Sequence, residues 1–151
     1  MKKKILFVTS TRADFGKLKS LIKITKKSKK FSVYIIVTGM HMMHTFGDTH
    51  IEITKFFKSN VIKFRNQRFK DSLDTILTNT VEKFSIIVKK IKPDLILIHG
   101  DRIESLGCAL VGSLNHILTA HIEGGEVSGN IDDTIRHAVT KLSHIHFVGN
   151  N

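Results

Sequence analysis

Charged side chains gather where short apolar runs of this sequence end. Asp101 and Arg102 follow the apolar run at 95–98, and Glu123 follows the run at 117–122. Carboxylates held near one another repel, which raises some of their pKa values and suits them to exchange protons near neutral pH. The sequence therefore indicates acid and base chemistry. The candidate carboxylates are Asp101, Glu123, Glu126, Asp132 and Asp133, and the basic side chains among them are Arg102, Arg136, His121 and His137.

Thr11, followed three residues later by Asp14, forms a capping-box pattern that predicts the start of a helix. Arg12 falls in the first turn of this helix, directly after the apolar run at 5–8. Free backbone N–H groups and the helix dipole at such an N-terminus attract anions. The turn contains neither Gly-x-Gly-x-x-Gly nor Gly-x-x-x-x-Gly-Lys-Ser/Thr, so it has no dinucleotide fingerprint and no P-loop. A phosphate bound by Arg12 and the backbone is compatible with this turn.

Several of these side chains also have purely structural interpretations. Asp132 or Asp133 can cap the helix predicted to follow them. Glu126 and Arg102 can form a surface ion pair. Cys108 lies in the middle of a predicted helix, so we expect it to serve as a small buried apolar residue.

His41 and His44 lie among three methionines, a combination that invites a metal interpretation. Two histidines without a third ligand make a poor metal site. We therefore predict that the chain holds no metal.

Short apolar runs alternate along the chain with stretches in which apolar residues recur three and four positions apart. The runs are apolar on both faces, as is typical of a parallel sheet covered by helices on both sides. We predict an α/β fold, a Rossmann-like, doubly wound parallel sheet of about six strands formed by residues 1–151. The predicted strands are 5–8, 33–37, 61–64, 94–99, 117–122 and 145–148, and the predicted helices begin after Thr11 and cover about 48–57, 71–91, 103–115 and 133–144.

The predicted strands place the polar clusters on one edge of the sheet. Ligands of open parallel sheets bind beyond the carboxyl ends of the strands. Nearly every mixed polar cluster in the sequence follows a predicted strand. The segment Thr9 to Asp14 follows the first predicted strand, and the segment His99 to Arg102 comes at the end of the fourth. This coincidence is the strongest evidence for a site that the residues alone provide.

A net charge of +11 could suggest nucleic-acid binding, but the distribution of the charge argues against it. The surplus is mostly lysine on early predicted helices, and the chain has five arginines, one tyrosine and no tryptophan for contacts with bases. We therefore expect no nucleic-acid partner. The N-terminal apolar run is too short for a signal peptide, and no stretch approaches the roughly 20 apolar residues of a membrane span. With a single cysteine, these features favour a cytoplasmic protein with no membrane association.

Four blocks of this sequence carry a recognisable pattern. The first is Thr11-Arg12-Ala13-Asp14-Phe15-Gly16-Lys17-Leu18. The next two are Thr38-Gly39-Met40-His41 and His99-Gly100-Asp101-Arg102-Ile103-Glu104. The most specific block runs from His121 to Ala138 and includes Glu123-Gly124-Gly125-Glu126 and Asp132-Asp133. Together these blocks resemble the sequence motifs of hydrolysing UDP-N-acetylglucosamine 2-epimerases of the sialic-acid pathway, and the resemblance extends from Lys4 to Val148.

The resemblance implies a two-domain fold like that of B-type glycosyltransferases, with the active site between the domains. Its reaction converts UDP-N-acetylglucosamine and water to N-acetylmannosamine and UDP through a 2-acetamidoglucal intermediate. No cofactor is implied, and no nicotinamide in particular. We expect this chain to be the N-terminal half, to lack the C-terminal nucleotide-binding domain and to be inactive alone. Its expected partners are the UDP-sugar and either that missing domain or a second copy of the chain.

The same resemblance assigns roles to the clustered side chains. It implies that Asp101, Glu123 and Asp132 are the catalytic and sugar-contacting carboxylates. The implied substrate-binding residues are Arg12, His41, Arg102, His121, Glu126, Ser128, Arg136 and His137. Two other functions stay open: hydrolysing 2-epimerisation of UDP-2,4-diacetamido sugars in legionaminic-acid pathways, and a non-catalytic module that binds a nucleotide sugar.

Overall fold

A computed structural model describes residues 1–125 and 129–149. The elements in chain order are β1 (Lys3–Thr9), α1 (Arg12–Lys27), β2 (Phe31–Val37), two short 3-10 turns (Gly39–Met42 and His44–Phe46), α2 (His50–Phe56), β3 (Val61–Lys63), α3 (Leu73–Ile91), β4 (Leu95–His99), α4 (Ile103–Leu114), β5 (Leu118–Ile122), α5 (Ile131–Leu142) and β6 (Ile145–Phe147). The strands form one parallel sheet in the order β3-β2-β1-β4-β5-β6. The predicted doubly wound, Rossmann-like α/β fold is therefore confirmed.

Each predicted strand and helix is present in the described part of the chain, within two residues of its predicted bounds. The start of α5 differs because Asn130 is its N-cap, with a side chain that accepts a hydrogen bond from the Asp132 backbone N–H at 2.8 Å. Asp133 instead accepts from the Gly129 N–H at 2.6 Å. The interpretation of Asp132 or Asp133 as the N-cap is therefore wrong, because a polar residue two positions earlier takes that place.

Alternate residues of each central strand face opposite sides of the sheet, and helices cover both. Ile5 and Phe7 of β1 pack in one cluster with α1 and α2, where Leu18 and Ile22 are buried. The opposite face packs against α3, α4 and α5 and forms a second cluster, whose buried members include Leu6, Val8, Phe84, Ile96, Cys108 and Val139. The expectation of a buried Cys108 is confirmed, and burial raises the pKa of its thiol. No helix of residues 1–125 and 129–149 is both long and apolar enough to cross a bilayer.

The first turn of α1 is fixed by a reciprocal cap, as the predicted Thr11/Asp14 pattern indicated. The Thr11 hydroxyl accepts from the Asp14 backbone N–H, and the Asp14 carboxylate accepts from the Thr11 N–H at 2.9 Å. Ser10 adds its N–H and its hydroxyl to the same Asp14 oxygen, at 3.1 and 2.8 Å. The end of β1 and the start of α1 are therefore held as one rigid corner.

We predict that Gly39→Ala destabilises the chain more than Gly47→Ala. Both glycines have positive φ, 61° and 82°, so a side chain at either costs about 1–2 kcal/mol of backbone strain. A Cβ at Gly39 would lie 2.7 Å from Glu104 Oε1 and 2.8 Å from the Ser10 carbonyl oxygen, whereas one at Gly47 meets nothing within 4 Å. Overpacking should add about 1–3 kcal/mol at Gly39 alone. Urea unfolding of both variants measures the difference, and equal losses would contradict this close packing.

Candidate active site at the carboxyl edge of the sheet

The strand order brings three polar corners together. β1, β4 and β5 are neighbours, so the residues that follow them lie along one stretch of the carboxyl edge. This stretch holds the Ser10–Asp14 corner, the segment from His99 to Arg102, and Glu123. The middle of α5 contributes Arg136 through its contact with Asp101. The predicted gathering of carboxylates and cations at one edge is thus present among the described residues.

A buried histidine links the first and third corners. His99, only 6% exposed, lies with Nδ1 3.4 Å from Asp14 Oδ1 and with Nε2 3.2 Å from Glu123 Oε2. Lys17 Nζ lies 2.5 Å from Glu123 and completes a row of alternating charges. We call Asp14, His99, Glu123 and Lys17 the charge row. It joins α1, β4 and the segment after β5 through side chains alone.

The charges of this row shift its pKa values in consistent directions. Burial acts to raise the pKa of Asp14, but the close contact with His99 and the hydrogen bonds from Ser10 outweigh it and the net pKa is lowered. Burial acts against a charged His99, yet Asp14 and then Glu123 raise its pKa. Partial burial likewise opposes ionisation of Glu123, while Lys17 and His99 lower its pKa. The expectation that repulsion between carboxylates raises their pKa values is therefore wrong for Glu123, because cations and not other carboxylates are its nearest charges, and it is ionised at neutral pH.

Asp14, Lys17 and His99 were not among the predicted site residues. Asp14 and Lys17 fitted an ordinary helix start, and His99 fitted the end of a buried strand. A signal did exist for His99, because a titratable side chain within an apolar strand needs a buried partner. The identity of that partner depends on the order of the strands in the sheet, and residues near His99 in the sequence do not predict that order.

The second group of charges joins α5 to the segment that follows β4. Arg136, 4% exposed, forms an ion pair with Asp101 and donates from Nη1 to Asp133 Oδ1 at 2.9 Å. Asp101 itself is partly exposed, so one predicted catalytic carboxylate is oriented by a buried guanidinium while remaining accessible. Asp132 is also partly exposed, on the first turn of α5.

Two predicted substrate-binding histidines are buried. His41 is fully buried, with Nε2 2.9 Å from Thr9 Oγ1 and Nδ1 2.5 Å from Thr49 Oγ1. His121 is 1% exposed, with Nε2 2.8 Å from the Gly100 carbonyl oxygen. The ring nitrogens of both are occupied by protein groups. These contacts let His41 and His121 fix the segments that follow β2 and β4.

Acidification should weaken the fold through His41. Burial is the largest cause that lowers its pKa, to about 4 from 6.5. Because the unfolded chain then binds more protons between these values, the stability present above pH 6.5 is lost progressively as the pH falls toward 4, by about 3 kcal/mol. We expect His41→Gln to remove this part of the pH dependence in urea unfolding at pH 4–7. Parallel profiles for the two proteins would contradict the buried neutral imidazole.

Arg102 is directed by a buried carboxylate that the sequence did not single out. Glu104 is fully buried, and its Oε2 accepts from Arg102 Nε at 3.3 Å. Its other oxygen lies 3.4 Å from Asn66 Nδ2, while Asn66 Oδ1 accepts from the Gly39 N–H at 3.0 Å. The described partner of Arg102 is thus Glu104, and Glu126, its hypothesised partner, lies outside the described residues.

The remaining predicted residues are exposed at the edge of the site or lie outside the described residues. Arg12 is exposed and lines an open groove of about 440 Å³ with the segment from Phe46 to Lys55. His137 is exposed on α5. Glu126 and Ser128 lie outside the described residues, so their predicted roles stay predictions. Within residues 1–125 and 129–149, no three histidine, cysteine, aspartate or glutamate side chains form a group that could hold a metal ion.

Comparison with solved structures agrees with this architecture. A crystal structure of a UDP-N-acetylglucosamine 2-epimerase superposes with a TM-score of 0.85 at 24% identity, over 98% of this chain and 42% of that one. The epimerase of Neisseria meningitidis solved with UDP-GlcNAc gives 0.83 at 23% identity, over 96% and 39%. At these identities the superpositions establish a shared fold.

Sequence comparison identifies relatives over nearly the whole chain. The UDP-N-acetylglucosamine 2-epimerase of Neisseria meningitidis serogroup B is 47% identical over 148 residues, which are 98% of this chain and 39% of the relative. The GDP/UDP-N,N'-diacetylbacillosamine 2-epimerase (hydrolyzing) of Campylobacter jejuni is 41% identical over 151 residues, 97% of this chain and 39% of the relative. The chain thus spans about 39% of the length of these relatives.

The sequence profile of one protein family matches most of the chain, from residue 23 to residue 151. The family is described as UDP-N-acetylglucosamine 2-epimerase. The match takes in β4, β5 and α5, and with them Asp101, Glu123 and Arg136. The chain therefore belongs to the UDP-N-acetylglucosamine 2-epimerase family.

Proposed function

We propose that this chain supplies the acid–base half of a hydrolysing UDP-N-acetylglucosamine 2-epimerase. In the first step, the C2 proton of the sugar passes to an enzyme base and the bond between C1 and the UDP oxygen breaks, which gives 2-acetamidoglucal and UDP. In the second, water adds across the C1–C2 double bond: hydroxyl attaches to C1 and a proton to C2 from the opposite face. The product is N-acetylmannosamine.

The observation that carries this proposal is an ionised carboxylate after β5 and an oriented carboxylate after the neighbouring strand β4. Lys17 and His99 keep Glu123 in the anionic form that can accept the C2 proton, although its lowered pKa makes it a weaker base than a carboxylate with a pKa near neutrality. Asp101 lies next along the sheet edge, where the buried Arg136 orients it. Epimerisation needs proton transfer on two faces of one carbon, and two carboxylates from neighbouring strands meet that need. Asp132 is a third carboxylate from α5 that contacts the sugar in this proposal.

The cationic residues at the rim fit the diphosphate of the substrate. Arg12 begins α1, where the helix dipole favours an anion, and it is exposed beside an open groove. Arg102 is partly exposed and held by Glu104. In the proposed complex these two guanidinium groups stabilise the charge that develops on UDP as its bond to C1 breaks.

A second candidate substrate is favoured by two relatives. The diacetylbacillosamine epimerases of Campylobacter jejuni and Legionella pneumophila are 41% and 34% identical to this chain, and both carry the word hydrolyzing in their names. Their similarity supports hydrolysing chemistry in general. It also makes UDP-2,4-diacetamido sugars the alternative substrate class, which differs from UDP-N-acetylglucosamine at C4 and C6.

We further propose that turnover requires a second domain. The chain spans 39% of its first relatives, and a fold of the B type of glycosyltransferase places substrate between two domains. Groups positioned on two domains lower a barrier only when both are present. We assign residues 1–151 to the N-terminal Rossmann-like domain, with reaction in the cytoplasm and N-acetylmannosamine directed to sialic-acid synthesis.

An NMR time course tests the function and the domain assignment together. The purified chain is incubated with UDP-N-acetylglucosamine, alone and as a chimera in which it replaces its 148 matched residues in the serogroup B relative. We expect N-acetylmannosamine and UDP from the chimera and none from the chain alone. Turnover by the chain alone would refute the need for a second domain. A folded chimera that binds the substrate without turnover would favour a non-catalytic binding module. Turnover of only a UDP-2,4-diacetamido sugar would select the alternative substrate.

A further inference from the structure

The buried histidine of the charge row has no direct contact with the substrate in the proposed reaction. His99 stands at the end of β4 and is 6% exposed. Its two ring nitrogens face carboxylates from different elements, Asp14 of α1 on one side and Glu123 after β5 on the other. A histidine needed only for packing would not require an acid on each side.

The two flanking carboxylates favour a charged ring. A neutral imidazole has one N–H and one acceptor nitrogen, and the acceptor would face a carboxylate oxygen and be repelled by it. The distances of 3.4 and 3.2 Å are those of ion pairs, although neither ring nitrogen is aligned with its carboxylate for a hydrogen bond. We therefore infer a positively charged His99 from the attraction of the two anions on either side of it.

Asp14 is a fixed anchor for this imidazolium. Its Oδ2 accepts hydrogen bonds from Ser10 and Thr11, so the carboxylate cannot rotate without breaking the α1 cap. Its Oδ1 is then left pointing at His99. The backbone of His99 is held as well, because the Ser105 hydroxyl donates to its carbonyl oxygen at 2.8 Å. Both ends of the contact are therefore rigid.

We propose that His99 is a positioning residue that, as an imidazolium anchored on Asp14, holds Glu123 ionised and oriented for proton transfer. The proposal rests on the proposed function, in which Glu123 exchanges the proton at sugar C2. His99 touches the carboxylate and not the substrate, so its effect on the reaction passes entirely through Glu123.

The other charged groups around His99 set what the experiment must separate. Lys17 is a second cation on Glu123, but its side chain is 55% exposed and its attraction is screened by water. Asp14 favours the charged ring, whereas the charge of Lys17 opposes it. Burial lowers the pKa of His121, and the charges of His146, His99 and Arg136 lower it further. The described surroundings thus assign one buried cation, His99, and one exposed cation, Lys17, to Glu123.

Carboxyl and imidazole titrations by NMR test the proposal on the 151-residue chain without substrate. The ¹³C signal of the Glu123 carboxyl is followed with pH in the native chain, in His99→Gln and in His116→Asn. His116 is an exposed control with positive φ on the turn before β5, where asparagine is well tolerated. We expect the Glu123 midpoint to move to higher pH in His99→Gln and to stay in place in His116→Asn.

The reciprocal measurement keeps the proposal testable if His99→Gln fails to fold. Glu123 is only partly buried, so Glu123→Gln should fold, and the ¹⁵N signals of His99 are then compared with those of the native chain. The expected result is protonation of both ring nitrogens in the native chain to a pH above the ordinary histidine range, with a lower midpoint in Glu123→Gln. The same shift is the readout that a merely structural histidine would not give.

Two results would overturn the proposal. One is a His99 ring that is neutral at pH 6.5 with a midpoint unchanged by Glu123→Gln. The other is a Glu123 midpoint that moves in Lys17→Met but not in His99→Gln, which would make Lys17 the only effective counterion. Neither result bears on turnover of the UDP-sugar by the chimera, so the positioning role and the proposed reaction fail separately.

Discussion

Glu123→Gln is expected to lower kcat of the catalytically competent chimera by about 10²–10⁴-fold, the usual contribution of a positioned acid or base. Glutamine preserves the size of the side chain and one oxygen, but it cannot accept the C2 proton. Because Glu123 is partly exposed and its partners are charged groups rather than core residues, the fold should survive. The measurement is the initial rate of UDP release over a range of UDP-N-acetylglucosamine concentrations.

The control for this loss is Glu82→Gln, which removes a carboxylate from an exposed position on α3 and should leave kcat unchanged. The effect of Glu123→Gln should appear in kcat more than in KM, since the lost interaction is made in the transition state. A variant with native kcat would remove Glu123 from the chemistry. The acid–base role would then rest on Asp101 and Asp132.

We predict that Arg136→Met lowers the free energy of unfolding by about 3 kcal/mol. Arg136 is 4% exposed and neutralises Asp101 and Asp133, so methionine would fill part of its volume but leave two carboxylates without that counterion. Loss of one partner from a buried pair costs about 3–5 kcal/mol, and the partial exposure of both acids places the loss at the lower end. Urea unfolding at pH 7 measures it.

Arg136→Lys is the matched control, because it keeps the charge but not the planar fork that contacts two acids at once. We expect an intermediate loss. Asp101→Asn in the Arg136→Met background should recover part of the stability, since it removes one of the two carboxylates left behind. If Arg136→Met is as stable as the native chain, the guanidinium does not stabilise this corner of the site.

The fold was largely readable from the sequence because its signals are local. A strand that is apolar on both faces, such as residues 95–99, is buried only in a sheet that helices cover on both sides. The Thr11/Asp14 spacing marked the start of α1. The rule that sites lie at the carboxyl ends of parallel strands then placed Asp101 and Glu123 at one edge. Chain order and strand chemistry sufficed for this step.

The partners within the site were not readable in the same way. The contact of His99 with Asp14 joins residues 85 positions apart, and it exists only because β1 and β4 are neighbours in the sheet. The burial of His41 against Thr9 and Thr49 likewise depends on how the segment after β2 folds back over α1. Polar residues after strands look alike in sequence, whether they point toward a ligand or toward each other.

We propose that carboxylates at this sheet edge move the C2 proton. Turnover of UDP-N-acetylglucosamine in D₂O tests this proton movement directly. The chimera is incubated with substrate until N-acetylmannosamine forms, and the product is isolated and examined at C2 by ¹H NMR. We predict one solvent deuterium at C2 in every product molecule, because the proton removed from one face is replaced by one from the solvent on the other face. Product that retains the substrate's own proton at C2 would contradict it.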